Sequence, residues 1–283
     1  MSVINVERLT KDYGFGRGVF DVSIHVEKGE VFGFLGPNGA GKSTTIRHLM
    51  GFSKADDGKV EIFGKPTFGK YYEILKNVGY IPGEVALPAG LTGKEFLKMM
   101  QDLTGIYNNE RLGMLLELFE LDEASLLGDV KRMSLGVKRK LAVVSAFMSD
   151  PEVLILDEPT SGLDPVSREE LTEIFLNLAK RGVTILFSTH VTEDLDACAN
   201  RIIYIKKGKI IANSTYREFV DSYRLVRLKD TDDKSRFIGV CSDKDGATGL
   251  ITADEEKDFC DREVLRPGVR DIMIHLEKEK IYD

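Results

Sequence analysis

Cysteine is scarce in this chain. Cys198, Cys241 and Cys260 are an odd number, widely spaced and without a CxxC pair. That excludes a disulfide framework and a thiolate zinc site, and it suits a reducing compartment. Long hydrophobic runs are missing too: no stretch approaches the roughly 18 apolar residues that a membrane-spanning helix requires. Residues 1–8 have neither the apolar run nor the small-residue cleavage site of a secretory signal. The expectation is a cytoplasmic protein that meets a membrane only through a partner, at its inner face. Nor is there an excess of basic charge. Lys and Arg total 39 against 46 Asp and Glu, a net charge of −7. Duplex-binding proteins carry a basic footprint, so no nucleic acid partner is expected. Internal repeats and low-complexity tracts are absent.

What remains is a globular composition, 42% hydrophobic and 30% charged, in a chain of 283 residues that can hold one large domain and a small appendage. Residues 3–9 and 19–26 alternate as strands do, and 30–35 form a short apolar run closed by Gly36. A helix is predicted over 43–50, strands over 60–63 and 78–81, and a helix near 70–76. From about 91 to 148 the apolar residues recur at helical spacing, over 92–100, 110–121 and 134–147. Strands return at 153–156, 183–187 and 201–205, with helices over 168–180 and 192–199 between them. This alternation predicts an α/β fold around a mainly parallel sheet, with a helical subdomain of about 86–150 inserted in it. Beyond residue 216 the pattern loosens. Strands fit 223–228 and 237–241, residues 243–246 signal a turn, and 269–279 suit either a strand or a helix. The expected organisation is a main domain of 1–220 and an α+β accessory domain of 221–283.

Gly36, Pro37, Asn38, Gly39, Ala40, Gly41, Lys42, Ser43 and Thr44 match GxxxxGK[ST]. The glycines let backbone N–H groups turn inward around an anion, and the helix that follows aims its positive end at the same point. Lys42 can bridge the β- and γ-phosphates, and the Ser43 hydroxyl suits Mg²⁺. A chance match in a chain this long is on the order of 1%, and here the motif also sits between a predicted strand and a predicted helix.

Residues 153–156 are four apolar residues followed by Asp157, Glu158 and Pro159. A buried strand can hold Asp157 at its end to orient Mg²⁺. Glu158, pointing the other way, can polarise a water in line with the γ-phosphate. Without the phosphate loop, the pair would read as an ordinary strand end before a proline turn. His190 closes the strand pattern of 183–187 and can hydrogen-bond a γ-phosphate, or it can simply cap the strand.

In this order, phosphate loop, then Ser134 at a helix start, then residues 154–164, then residues 188–190, the sequence resembles the nucleotide-binding subunits of ABC transporters over roughly residues 2–220. The resemblance implies a P-loop NTPase core with a mixed, mainly parallel sheet and an antiparallel β subdomain. It also implies ATP hydrolysis with Mg²⁺. It places Asp164 beside the nucleotide with Glu158 and His190, and Tyr13 against adenine. It implies a head-to-tail dimer in which Ser134 and Gly136 of one chain face the γ-phosphate held by the other. Read alone, Ser134 is a helix N-cap, and Tyr13 is a single exposed aromatic of the kind that needs no explanation.

Two features depart from the family pattern. The signature LSGGQ is here Met133, Ser134, Leu135, Gly136 and Val137. The lid glutamine expected after 78–82 is Gly83, followed by Glu84, which is the expected substitute as a metal-site residue. Residues 81–84, 91–93 and 134–140 look most like bacterial export subunits. These work with a separate transmembrane permease, as a homodimer or with a second ATPase chain. Helices within 86–150 would offer a groove to a short helix of that permease. The alternative is a soluble ATPase of the same type with a regulatory or nucleic-acid-linked role.

Overall fold

In a computed structural model, residues 2–69, 71–229, 231–244 and 246–278 are described. The chain forms two compact units, Met1–Ile211 and Ala212–Asp283. In the first, β1 (Ser2–Asp12) and β2 (Gly18–Glu27) form a hairpin. Alternate residues Val22, Ile24 and Val26 of β2 are buried, the period of two that marks a half-buried strand. The short β3 (Val31–Leu35) is buried at every position and leads into α1 (Lys42–Leu49). Next come β4 (Asp57–Ile62), β5 (Lys65–Pro66), α2 (Tyr71–Ile74) and β6 (Val78–Ile81). The helix expected near 70–76 is thus a single α-turn closed by a 3₁₀ turn, and Lys70 lies outside the described residues.

The helical segment holds α3 (Gly93–Thr104), α4 (Asn109–Leu118), α5 (Glu123–Leu127) and α6 (Leu135–Phe147). Local chemistry sets these boundaries. Thr92 and Glu95 form a reciprocal cap at the start of α3, and Gly105 ends it in the left-handed conformation. Then β7 (Val153–Asp157), α7 (Pro165–Lys180), β8 (Thr184–Thr189), α8 (Thr192–Cys198), β9 (Arg201–Lys206) and β10 (Lys209–Thr215) complete a six-stranded sheet of order β10-β9-β3-β8-β7-β6. The pairs β3–β8, β3–β9, β6–β7 and β7–β8 are parallel. Strands β7 and β8 are buried throughout, as parallel strands covered on both faces must be. A separate antiparallel sheet has the order β2-β1-β4-β5. The expected α/β fold and its antiparallel subdomain are both present.

The second unit holds α9 (Tyr216–Asp221), β11 (Tyr223–Arg227), β12 (Gly239–Asp243), β13 (Gly246–Thr252), β14 (Val264–Leu265) and α10 (Val269–Glu277). Its antiparallel sheet has the order β12-β13-β11-β14. Val226, Phe237, Ile251 and Phe259 make a small core. Residues 269–277 are a helix because the buried positions are Val269, Ile272, His275 and Leu276, a spacing of three and four that a strand cannot present on one face. Strand β13 has no counterpart in the sequence reading, because Gly246 and Gly249 interrupt its alternation. Gly249 leaves room for Phe237, whose ring would stand 2.4 Å from an added Cβ.

Candidate functional site

The end of β3 and the start of α1 enclose the loop 36–41. Gly41, with φ 115°, takes a conformation closed to L side chains, and a Cβ on Gly36 would stand 2.4 Å from the Ile205 carbonyl oxygen. Helix α1 has no side-chain cap, so the loop and the first helical turn present unpaired N–H groups around the same point. Lys42 lies just inside. It is 4% exposed, and its Nζ donates to the carbonyls of Gly36 (2.6 Å) and Pro37 (3.2 Å). Burial pulls the pKa of its ammonium below the ordinary value, and the nearby Glu158 and Asp157 carboxylates partly oppose this.

Strand β7 carries Asp157 to the same edge. Its Oδ1 accepts from Ser188 Oγ at 2.5 Å, across to β8. The same Ser188 Oγ accepts from the Glu158 backbone N–H at 2.9 Å. That second bond fixes the turn at Glu158, a non-glycine residue at φ 48°. Such a conformation persists only where the surroundings over-determine it, and it clusters at functional sites. The Glu158 carboxylate stands 3.3 Å from Lys42 Nζ and 3.0 Å from His190 Nδ1, the latter without hydrogen-bond alignment. Lys42 and His190, from the loop and the post-strand turn, therefore meet at the Glu158 carboxylate.

The Ser43 hydroxyl and Asp157 Oδ2 have no hydrogen-bond partner among the described residues. Hard oxygen donors of this kind suit magnesium. Glu84 is solvent-exposed, and Gly83 is the lid residue that faces Asp157: a Cβ there would stand 3.3 Å from the Asp157 carbonyl oxygen and 3.8 Å from Oδ2. Among the described residues no three His, Cys, Asp or Glu side chains cluster with metal-holding geometry, so Glu84 is not gathered with the strand-end pair.

Ser134 caps α6, its Oγ accepting from Val137 N at 3.2 Å. That leaves the first N–H groups of α6, at Leu135 and Gly136, without an intrahelical acceptor. An added Cβ on Gly136 would be 3.3 Å from Ser167 Oγ, and one on Gly162 would be 3.0 Å from Leu135 Cδ2. The start of α6 therefore packs on loop 161–164 and the first turn of α7. Asp164 caps α7, accepting from Val166 N, Ser167 N and Ser167 Oγ (2.7 Å). The Ser167 hydroxyl, with the backbone donors behind it, holds the Asp164 carboxyl below its ordinary pKa. No contact joins Asp164 to Lys42, Glu158 or His190 among the described residues. Tyr13 is 48% exposed at the β1–β2 turn, with Lys11 Nζ 5.7 Å from its ring centre.

Two supporting groups escaped sequence reasoning. Asp194, 1% exposed on α8, accepts from Thr160 Oγ1 (2.5 Å) and Thr189 Oγ1 (2.9 Å), joining the turn after Glu158 to the residue before His190. Burial pushes its carboxyl above the ordinary value, and the two threonine donors oppose this. Arg139 is 4% exposed on α6 and donates to the carbonyls of Gly83 and Ser161. Its signal was available: it falls on the buried stripe of α6 with Ala142, Val143 and Phe147, a charge at an apolar position.

The family profile described as ABC transporter matches residues 19–161. The bacitracin transport ATP-binding protein BcrA of Bacillus licheniformis is 32% identical over 281 residues, 98% of this chain and 87% of that protein. The Nod factor export ATP-binding protein I of Burkholderia pseudomallei is 34% identical over 221 residues, 77% of this chain and 73% of its own length. A solved structure of an ATP-binding subunit of an ABC transporter superposes with a TM-score of 0.69 at 31% identity, covering 77% of this chain and 93% of the other.

Proposed function

We propose, since this chain belongs to the ABC transporter family as one of its ATP-binding, ATP-hydrolysing subunits, that it works as a head-to-tail dimer driving export through a separate permease. The observation that carries this reading is the Glu158 carboxylate placed between Lys42 and His190. In that arrangement the loop 36–44 holds the phosphates of ATP through its N–H groups. Lys42 spans the β- and γ-phosphates, and Tyr13 stacks on adenine. Ser43 and Asp157 would hold Mg²⁺, which would offset the negative charge of the phosphates. Glu158 accepts a proton from the attacking water as its oxygen bonds the γ-phosphorus and the bond to the β–γ bridging oxygen breaks. His190 hydrogen-bonds the γ-phosphate. The N–H groups at the start of α6, with Ser134 and Gly136, complete the partner chain's site, and Asp164 shapes the adjoining loop.

Turnover should therefore rise more than linearly with protein concentration, and Ser134→Arg should lose it, because a long side chain fills the space the partner's γ-phosphate needs. Steady-state ATPase assays over a hundredfold dilution series test both. Activity linear in concentration and untouched by Ser134→Arg would remove the composite site from consideration.

No helix among the described residues is long and apolar enough to cross a membrane. In this reading the permease supplies the path across the membrane, and this chain sits at its inner face. Its docking surface is a cleft of about 500 Å³ between α3, α4 and α5, lined by Leu97, Leu112, Leu116 and Leu126 with Lys94 and Lys98 at the rim. A short amphipathic helix of the permease fits such a groove, laying its apolar face on the leucines. Leu112→Asp should leave basal ATP turnover unchanged and abolish co-purification with a co-expressed permease. Capture at the wild-type level would move the docking surface elsewhere.

A further inference from the structure

Arg139 is an expensive residue where it stands. Its side chain is 4% exposed, and among the described residues no carboxylate lies within ion-pair distance of it. Nη2 alone makes its hydrogen bonds, to Gly83 O at 3.1 Å and Ser161 O at 3.0 Å, while Nε and Nη1 are buried with no partner. Burial disfavours its charged form, and the nearest relief comes through space from Glu158. An apolar side chain of similar length would fill the same stripe of α6 without burying a charge. Packing therefore does not account for an arginine here.

What it touches does. Ser161 N donates to Glu158 O, so the carbonyl that Arg139 grips belongs to the tight turn that carries Glu158. Gly83 is the lid position facing Asp157, and the helical segment begins beyond it. Arg139 also sits five residues after Ser134, about one and a half turns along α6. One nitrogen thus ties the lid, the Glu158 turn and the helix that starts at Ser134.

We infer that Arg139 is a positioning residue: it holds the Glu158 turn in register with the lid and with α6, so that Glu158 aims at the attacking water only while both are in place. This deepens the reading of Glu158 given above and rests on it. Lysine at 139 would keep a cation and enough donors for both carbonyls. Methionine would keep the bulk and lose both bonds.

The test uses the full chain carrying Arg139→Met, Arg139→Lys, Glu158→Gln and the double variant Glu158→Gln/Arg139→Met. Single-turnover hydrolysis, binding of a fluorescent ATP analogue and thermal melting are measured for each. Arg139→Met should lower the hydrolysis rate about 10- to 100-fold, the scale of a small misplacement of a reacting group. Binding should stay within about twofold, and the melting temperature should move little, because relief of the buried charge and the loss of a donor to two carbonyls act in opposite directions. Arg139→Lys should recover part of the rate. In the Glu158→Gln background the methionine should cost nothing further, because a residue acting through Glu158 has nothing left to position. A wild-type rate for Arg139→Met, losses that multiply in the double variant, or loss of rate in step with melting in both single variants would overturn the inference. Failure of the Glu158 reading shows separately, as Glu158→Gln hydrolysing at the wild-type rate.

Discussion

Glu158→Gln is expected to slow ATP hydrolysis about 10³-fold while ATP binding persists, the loss typical of removing a positioned general base. The amide keeps the shape of the carboxylate but cannot take the proton of the attacking water. The fold should be indifferent to the change. The turn at Glu158 is fixed through its backbone, whose N–H reaches both Ser188 Oγ and the Ser188 carbonyl oxygen. Among the described residues its side chain touches Lys42 and His190. Rapid-quench hydrolysis and equilibrium binding of a fluorescent ATP analogue separate the two effects. With hydrolysis blocked, the proposed head-to-tail dimer should also outlast gel filtration in ATP. A variant retaining a tenth or more of the wild-type rate would mean that another group activates the water.

Lys42→Met should have the opposite signature, losing nucleotide affinity about 100-fold, as expected for removing charge-assisted bonds to phosphate, without losing stability. The ammonium is buried and its folded pKa lies below the ordinary 10.5. The unfolded chain therefore binds this proton more tightly than the folded chain does. Below the folded pKa the folded state carries the whole cost of burying the charge, and that cost is relieved as pH rises through the lowered pKa toward 10.5. Methionine carries no such cost. At pH 7 the variant should melt at or above the wild-type temperature, and the difference should shrink as pH approaches 10. A clear fall in melting temperature at pH 7 would show that the bonds to the Gly36 and Pro37 carbonyls outweigh the burial of the charge.

Most of the α/β core was legible because its signals are local. Four apolar residues followed by Asp157 and Glu158 can be read without knowing what they pack on, and so can a glycine loop between a strand and a helix. Helix α3 was legible for the same reason, since Thr92 and Glu95 are three residues apart. Strands β10, β13 and β14 and helix α5 were not. β14 and α5 are two and five residues long and β13 contains Gly246 and Gly249, while β10 alternates in burial but follows β9 after a turn of only two residues. Gly249 shows why: its value lies in the space it leaves for Phe237, twelve residues away. The choice between strand and helix for 269–277 likewise waited on which residues are buried.

The sequence by itself determined the family of this protein: a phosphate-loop motif, two acids at a strand end and a histidine, in an order that resembles ABC transporter ATP-binding subunits. Each of those depends on backbone conformation and side-chain identity within a few residues. Only the tertiary structure decided how they are held. Ser188 links Asp157 to the Glu158 backbone, Asp194 links Thr160 to Thr189, and Arg139 bridges Gly83 and Ser161. It also decided that Gly83, not Glu84, faces Asp157. These are bonds between residues from 22 to 56 positions apart for Arg139 and 31 for Ser188–Asp157. Nothing local marks such a pair, because the strands and helices that bring its members together are set by burial across the whole unit.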